Sequence, residues 1–412
     1  MTFKVKTKGQ NEGEKLLVPK LRFKEFKNEW NEITLKKLLS FKNGINGDKD
    51  SYGYGIKYIS VGDILNNTYI TYDKIKGLID INDKTLKENS VEYGDMVFQR
   101  SSETFNDIGQ ANVYLDKKQI ATFGGFVIRG KKIGNYNPLF FNYLLKSPCN
   151  RKKVIVKGAG AQHYNISQEE LEKIKVNFTV EKEQVKISNL FYSLDKKIEL
   201  QQRKIEALKI YKKGLLYKTF IKCCANCKIK DLLILGKSGG TPKSTNTDYY
   251  DGNIPFLSIT DMTSQGKYIK QTEKHLSNLG LENSSAWLLP VNTLILSMYA
   301  SYGLVSINKI PLSTSQAMFN MIFKENINVE YIYYYLNYLK ETHFYEELVS
   351  TGTQSNLNAD KVKNIPIYLP TKTEQVRISS LFNVLDNKLK LQESNLNSLI
   401  MLKKSLLQQM FI

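Results

Sequence analysis

Residues 183–221 of this chain recur as residues 374–412, displaced by 191 positions without a gap. EQVKISNLFYSLDKKIELQQRKIEALKIYKKGLLYKTFI aligns with EQVRISSLFNVLDNKLKLQESNLNSLIMLKKSLLQQMFI, and roughly half of the positions are identical. Each copy follows a large polar, aromatic-rich region. The chain is therefore written as two half-units, a build that suits a target with two half-sites.

Within each copy the apolar positions step by four and three. They run Leu194, Ile198, Gln201, Ile205, Leu208, Lys212 and Leu215, and again Leu385, Leu389, Gln392, Leu396, Leu399, Lys403 and Leu406. Sustained spacing of this kind marks a coiled-coil seam. Gln201 and Gln392 fall at the same step, as do Lys212 and Lys403. Polar residues in a seam lower its stability and fix its register, so the two helices are expected to pair with each other. The alternative is that each packs separately on its own globular region. Half-units related by a two-fold axis make the pairing antiparallel. About 39 residues at 1.5 Å each give a rod of about 58 Å, the length of roughly 17 base pairs of B-DNA.

The chain divides accordingly. Residues 1–15 are polar and aperiodic, the composition of a loose tail. Residues 16–157 form a first globular region, 158–222 a central region with the first helix, 223–350 a second globular region, and 351–412 a C-terminal region with the second helix. The two globular regions echo each other weakly. IPFLSITDM at 254–262 matches IKYISVGDI at 56–64, NTLILSMYAS at 292–301 sits where GDMVFQRSS sits, and FFNYLLK at 140–146 parallels YIYYYLNYLK at 331–340. Each leads into a Gly-Gln-Asn loop, KGAGAQHYNI at 157–166 or STGTQSNL at 350–357.

The chain carries 59 Lys and Arg against 40 Asp and Glu, a net charge of +19. Such a balance favours a polyanion, most often nucleic acid. A Lys-rich composition that follows an A/T-rich genome, and a membrane surface, are the alternatives. No apolar run approaches the ~20 residues of a spanning helix, and the N-terminus lacks the apolar core of a signal peptide. Four cysteines, three of them crowded at Cys223, Cys224 and Cys227, do not make an extracellular framework. A cytoplasmic protein without membrane contact is expected.

The globular regions carry polar clusters suited to a nucleic-acid surface: SYGYG at 51–55, QRSS at 99–102, GGTPKSTNTDYY at 239–250 and SMYASYG at 297–303. Lys and Arg reach phosphates, while Arg, Gln, Asn, Ser and Thr also read base edges. Each cluster taken singly also reads as an ordinary turn. Catalytic signals dissolve on inspection. Asn137-Pro138-Leu139-Phe140 lacks the second proline of an amino-methyltransferase loop, and its counterpart Asn328-Val329-Glu330-Tyr331 has none; a helix N-cap followed by Pro at the first helical position explains both better. Gly236-Lys237-Ser238 lacks the upstream glycine of a phosphate loop, since position 231 is Asp. Cys224 and Cys227 form one C-x-x-C without a second pair, and His163, His275 and His343 lie far off; a structural zinc is a minor alternative, and no metal ligands are assigned. No catalytic residues and no cofactor motif emerge, as in a recognition subunit.

The order variable region, helix, variable region, helix, together with VPKLRFKEFKNEW at 18–30, GGTP…IPFLSITD at 239–261 and the EQ…I..LF..LD helix starts, resembles the specificity subunit of type I restriction–modification systems. The resemblance covers essentially all of the chain after residue 16. It implies an α+β fold of two mixed α/β target-recognition domains, each followed by a long α-helix, the helices paired as an antiparallel coiled coil with pseudo-two-fold symmetry. Each domain would read one half of a bipartite site in double-stranded DNA, with the helices setting the spacing. The subunit would be non-catalytic and bind no cofactor. Two methylation subunits would bring S-adenosylmethionine and adenine-N6 methyl transfer, and motor–nuclease subunits would bring ATP and Mg. A single-chain methyltransferase or nuclease component, and a basic coiled-coil scaffold without sequence preference, are the competing readings. DNA-contact candidates are Lys42, Lys57, Gln99, Arg100, Ser101 and Gln162 in the first half, and Thr241, Lys243, Ser244, Ser297, Tyr299, Tyr302 and Gln354 in the second. Where the second half has GGTP, the first has NGINGDKD at 43–50. Phe191 and Phe382, at matching helix steps, are candidates for docking partner subunits.

Overall fold

A computed structural model describes residues 3–5, 17–160, 163–221, 224–299, 301–350 and 357–412. The chain forms two compact units, residues 1–202 with 394–412 and residues 203–393. The divide falls inside both long helices, Glu181–Phe220 and Lys372–Met410, so each unit holds a segment of each helix.

In the first unit an antiparallel sheet runs Leu39–Asn43, Val127–Lys132, Met96–Gln99 and Ala111–Val113. A second sheet centres on Tyr52–Ile59, flanked by Gly77–Ile79 antiparallel and Thr122–Phe123 parallel. The second unit repeats the scheme. Leu233–Ser238, Met318–Phe323, Leu294–Ser297 and Val305–Asn308 take the same order, extended by Tyr268–Ile269. Tyr250–Leu257 lies between Lys274–Leu276 and Ser313–Thr314.

Local chemistry repeats with the sheets. Ser60 and Ser258 each cap a short helix, and Asp63 and Asp261 return the bond to the cap's own amide. These reciprocal boxes satisfy backbone donors that a helix start leaves unpaired. Asn137 caps helix Pro138–Lys146 by accepting from the Phe140 amide at 2.9 Å, and Asn328 caps Val329–Glu341 by accepting from the Tyr331 amide at 2.9 Å. The Asn-Pro pair is thus a helix start, with proline where its missing N–H costs nothing. Gln184 and Gln375, 191 residues apart, accept from the Asn137 and Asn328 amides at 2.9 and 2.8 Å and tie each long helix to this cap.

Every residue of the 4–3 spacing is buried or half-buried. In the first unit Phe411 stacks on Phe191 at 5.8 Å and lies edge-on to Trp30 at 6.2 Å. Lys403 pairs with Asp195 at 2.5 Å, and Asp195 also accepts from the Tyr143 hydroxyl at 2.6 Å. In the second unit Phe220 stacks on Phe382 at 6.5 Å, Lys212 pairs with Asp386 at 2.5 Å, and Asp386 accepts from the Tyr334 hydroxyl at 2.6 Å. The ring stack, the ion pair and the tyrosine bond of one unit recur in the other with the two helices exchanged, the mark of an isologous pairing. The start of one helix meets the end of the other, so the pairing is antiparallel. A parallel pairing in register would set Asp195 beside Asp386 and Lys212 beside Lys403, like against like. The seam lysines therefore have a physical role, since each finds a carboxylate only in the antiparallel arrangement.

Phe191 and Phe382 are each 0% exposed. Their reading as docking residues for partner subunits is corrected: both are spent on the chain's own cores, where rings of this size bury favourably by about 1.5–3 kcal/mol each.

Candidate nucleic-acid interface

Polar residues distant in sequence meet at matched places in the two units. In the first unit the strands Ser101–Ser102 and Tyr164–Asn165 pair, so the QRSS run and the Gly-Gln-Asn loop come together. The Ser101 hydroxyl donates to Asn165 Oδ1 at 2.5 Å. Arg100 is exposed, its backbone amide donates to the Phe126 carbonyl at 2.9 Å, and its guanidinium reaches the Gly125 carbonyl at 3.4 Å. Asn43, Lys157 and Gln168 line the same depression.

The turn that is GGTP in the second half has the same backbone in the first. The amides of Gly44 and Ile45 donate to Val127 and Phe123 at 3.0 and 3.2 Å; those of Gly239 and Gly240 donate to Met318 and Thr314 at 3.1 and 2.9 Å. A Cβ on Gly44 would stand 2.0 Å from the Gly124 carbonyl oxygen, and one on Gly239 would stand 2.1 Å from the Thr314 carbonyl oxygen. Close backbone approach, not letter identity, is what both sequences keep. Further along the turn the Gly47 amide donates to the Tyr52 hydroxyl at 3.0 Å, whereas the Tyr250 hydroxyl donates to the Pro242 carbonyl at 2.8 Å. Proline has no N–H, so the bond reverses. After Tyr52 and Tyr250 each strand loops out three residues, 53–55 and 251–253, before pairing resumes. Gly53 and Asp251 open these bulges at φ of 103° and 57°. Bulges re-aim side chains beside functional surfaces.

Arg100, Thr241, Lys243, Ser244, Tyr299 and Tyr302 are exposed, and Ser101 is half-buried. Thr241 donates to Gln316 Oε1 at 2.5 Å. Lys42 and Lys57 are half-buried and donate to the carbonyls of Glu88 and Ile75 at 3.1 and 2.6 Å. Two candidates are corrected. Gln99 is 5% exposed and donates to the Ser101 carbonyl at 2.9 Å; Ser297 is 0% exposed and its hydroxyl donates to the Tyr299 carbonyl at 2.9 Å. Both close the bend at the end of the central strand and cannot reach a ligand. Gln162 and Gln354 lie outside the described residues. Sequence reasoning missed Asn46, Phe126, Asn165 and Gln316, because what brings them to this surface is strand pairing. Carrying the weak echo between the two halves through the turns could have found them.

Among the described residues no helix is long and apolar enough to cross a membrane.

The chain matches the family described as the type I restriction modification DNA specificity domain over residues 27–209 and again over 224–401. It is 27% identical over 161 residues to the MjaIX specificity subunit of Methanocaldococcus jannaschii, an alignment spanning 39% of this chain and 37% of that relative. Against the MjaX specificity subunit of the same organism it is 22% identical over 402 residues, 93% of each chain. The S subunit of M. genitalium superposes with a TM-score of 0.56 at 17% identity, over 96% of this chain and 99% of that one. With two matches that together span most of its length, on a fold built twice around paired helices, the chain belongs to the type I restriction modification DNA specificity domain family.

Proposed function

We propose that this chain is the DNA-recognition subunit of a type I restriction–modification complex. Each globular domain reads one half of a bipartite site in double-stranded DNA, and the antiparallel helices set the spacing between the halves. The observation that carries this reading is the doubled surface: one backbone scaffold, built twice, presents different side chains at matched exposed places. A subunit that reads two unlike half-sites needs that combination. The charge of +19 supplies the sequence-independent attraction to phosphates.

Catalysis belongs to partners in this reading. Two methylation subunits bring S-adenosylmethionine for adenine-N6 methylation, and motor–nuclease subunits bring ATP and Mg. With Phe191 and Phe382 buried, docking passes to their outward neighbours on the same helices. Val185 and Val376, again 191 residues apart, are 39% and 43% exposed. Exposed aliphatic groups repeated on equivalent turns suit two copies of one partner.

The test is a domain exchange in the assembled complex. Residues 223–350 are replaced by the corresponding region of another family member, and methylated adenines are mapped across a genome. One half-site should change while the other and the spacing persist. A change in both half-sites, or methyl transfer by the purified chain alone, would overturn the reading.

A further inference from the structure

The internal repeat acts as a built-in alignment, and it exposes a chemical difference between the two reading surfaces. The turns Gly124–Val127 and Ser315–Met318 are equivalent: the Val127 amide donates to Gly124 at 2.9 Å, and the Met318 amide donates to Ser315 at 3.1 Å. The amides of Arg100 and Met298 donate to the carbonyls of Phe126 and Ala317, at 2.9 and 2.8 Å. Phe126 therefore matches Ala317, and Arg100 matches Met298. Phe126 is 67% exposed where the second unit has only an alanine, and exposed Arg100 is matched by Met298, 3% exposed and folded inward.

A single exposed apolar residue is ordinary, but Phe126 stands on a turn pinned by backbone hydrogen bonds and closely packed at both of its glycines. The Gly124 amide is held by the Ile59 carbonyl at 3.0 Å. A Cβ on Gly124 would meet the Tyr58 ring at 2.8 Å, and one on Gly125 would meet the Asn46 side chain at 1.9 Å. The ring thus stands out in water on a turn that exposed Asn46 and exposed Arg100 both adjoin, Asn46 at Gly125 and Arg100 through its bonds to the Gly125 and Phe126 carbonyls. A groove floor in B-DNA offers that alternation: hydrogen-bonding base edges beside the 5-methyl group of thymine. The guanidinium adds the positive charge that favours DNA over an uncharged partner.

We infer that Phe126 is a specificity-determining residue that contacts a thymine 5-methyl group in the major groove of the first domain's half-site, flanked by Arg100 and Asn46. The second domain, with Ala317 at this place and the Thr241–Gln316 pair beside it, reads its half-site chiefly by hydrogen bonds. The inference rests on the DNA-recognition reading.

The experiment uses the complex assembled with its methylation subunits and short duplexes carrying the mapped site. Each thymine of the first half-site is replaced in turn by uracil, which removes only the methyl group. At one position the wild-type complex should lose about fourfold in affinity, the worth of one buried methyl. Phe126→Ala should weaken binding by about 10- to 100-fold, the worth of burying a large apolar side chain, and abolish the uracil effect at that position. Uracil in the second half-site should affect both proteins equally. Unchanged affinity in Phe126→Ala, or identical uracil penalties in both proteins, overturns the inference. A wild-type complex that shows no preference for any bipartite site overturns the recognition reading instead. Because Phe126 is a surface residue, loss of fold does not mimic the expected result.

Discussion

Removing the charge of Asp195 should destabilise the first unit by an amount that depends on whether Lys403 is present. The pair is closed at 2.5 Å, with Lys403 25% and Asp195 10% exposed. Charge centres about 4 Å apart at an effective dielectric of about 20 attract by about 4 kcal/mol. Solvent screening at the partly exposed lysine end cuts this to a coupling of about 1.5 kcal/mol. Asp195→Asn keeps an acceptor for the Tyr143 hydroxyl but turns a charge-assisted bond into a neutral one, a further loss of about 1 kcal/mol. Asp195→Asn should therefore cost about 2.5 kcal/mol alone and about 1 kcal/mol in a Lys403→Met background. The matching pair Lys212–Asp386 is more open, at 24% and 26% exposed, so its coupling should be smaller, about 1 kcal/mol. Urea unfolding of the four proteins of each cycle, followed by far-UV circular dichroism and by amide exchange of helix peptides, measures both couplings. A control cycle on Asp195 and Lys212, which do not meet in an antiparallel seam, should be additive within about 0.3 kcal/mol. Couplings below that in both true cycles, or an equal coupling in the control, would refute the isologous pairing.

Two further outcomes follow from single residues. Gly214 is exposed in the interior of the first long helix, and a Cβ there would meet nothing within 4 Å; Gly214→Ala should stabilise by about 0.5–1 kcal/mol, read as a raised Tm, and a lowered Tm would contradict the helix at that point. Burial, and next the charge of Lys403, lowers the Lys146 ammonium to about 7, while its Nζ donates to the Thr68 carbonyl at 2.8 Å. The unfolded chain then binds more protons than the folded one between about pH 7 and the ordinary lysine range, so stability should rise with pH through that window; Lys146→Met should flatten the rise, and an unchanged slope would count against the burial.

How much was legible in the sequence differs from element to element. The two helices, their seam and their pairing were written in the spacing of Leu194 to Leu215 and Leu385 to Leu406, because a helix presents every third and fourth residue to one side and a repeated stripe must be covered. The caps at Asn137 and Asn328 were equally local, each being decided by side chains within three residues. Charge and the want of a catalytic constellation pointed to recognition of a polyanion. Tertiary structure decided which residues of each variable region share a surface. Gln99 and Ser297 read as contacts in the sequence, yet strand pairing turns them inward to bond their own backbone. Asn46, Arg100, Phe126 and Asn165 are scattered along the sequence and meet only because sheet order and glycine turns bring their strands together. Phe191 and Phe382 read from the sequence as helix surface outside the seam; the packing of rings such as Phe411 and Phe220 against them makes them core. Helix periodicity is a short-range signal carried by neighbours, whereas a binding surface is assembled by contacts between distant segments, and no local spacing records those.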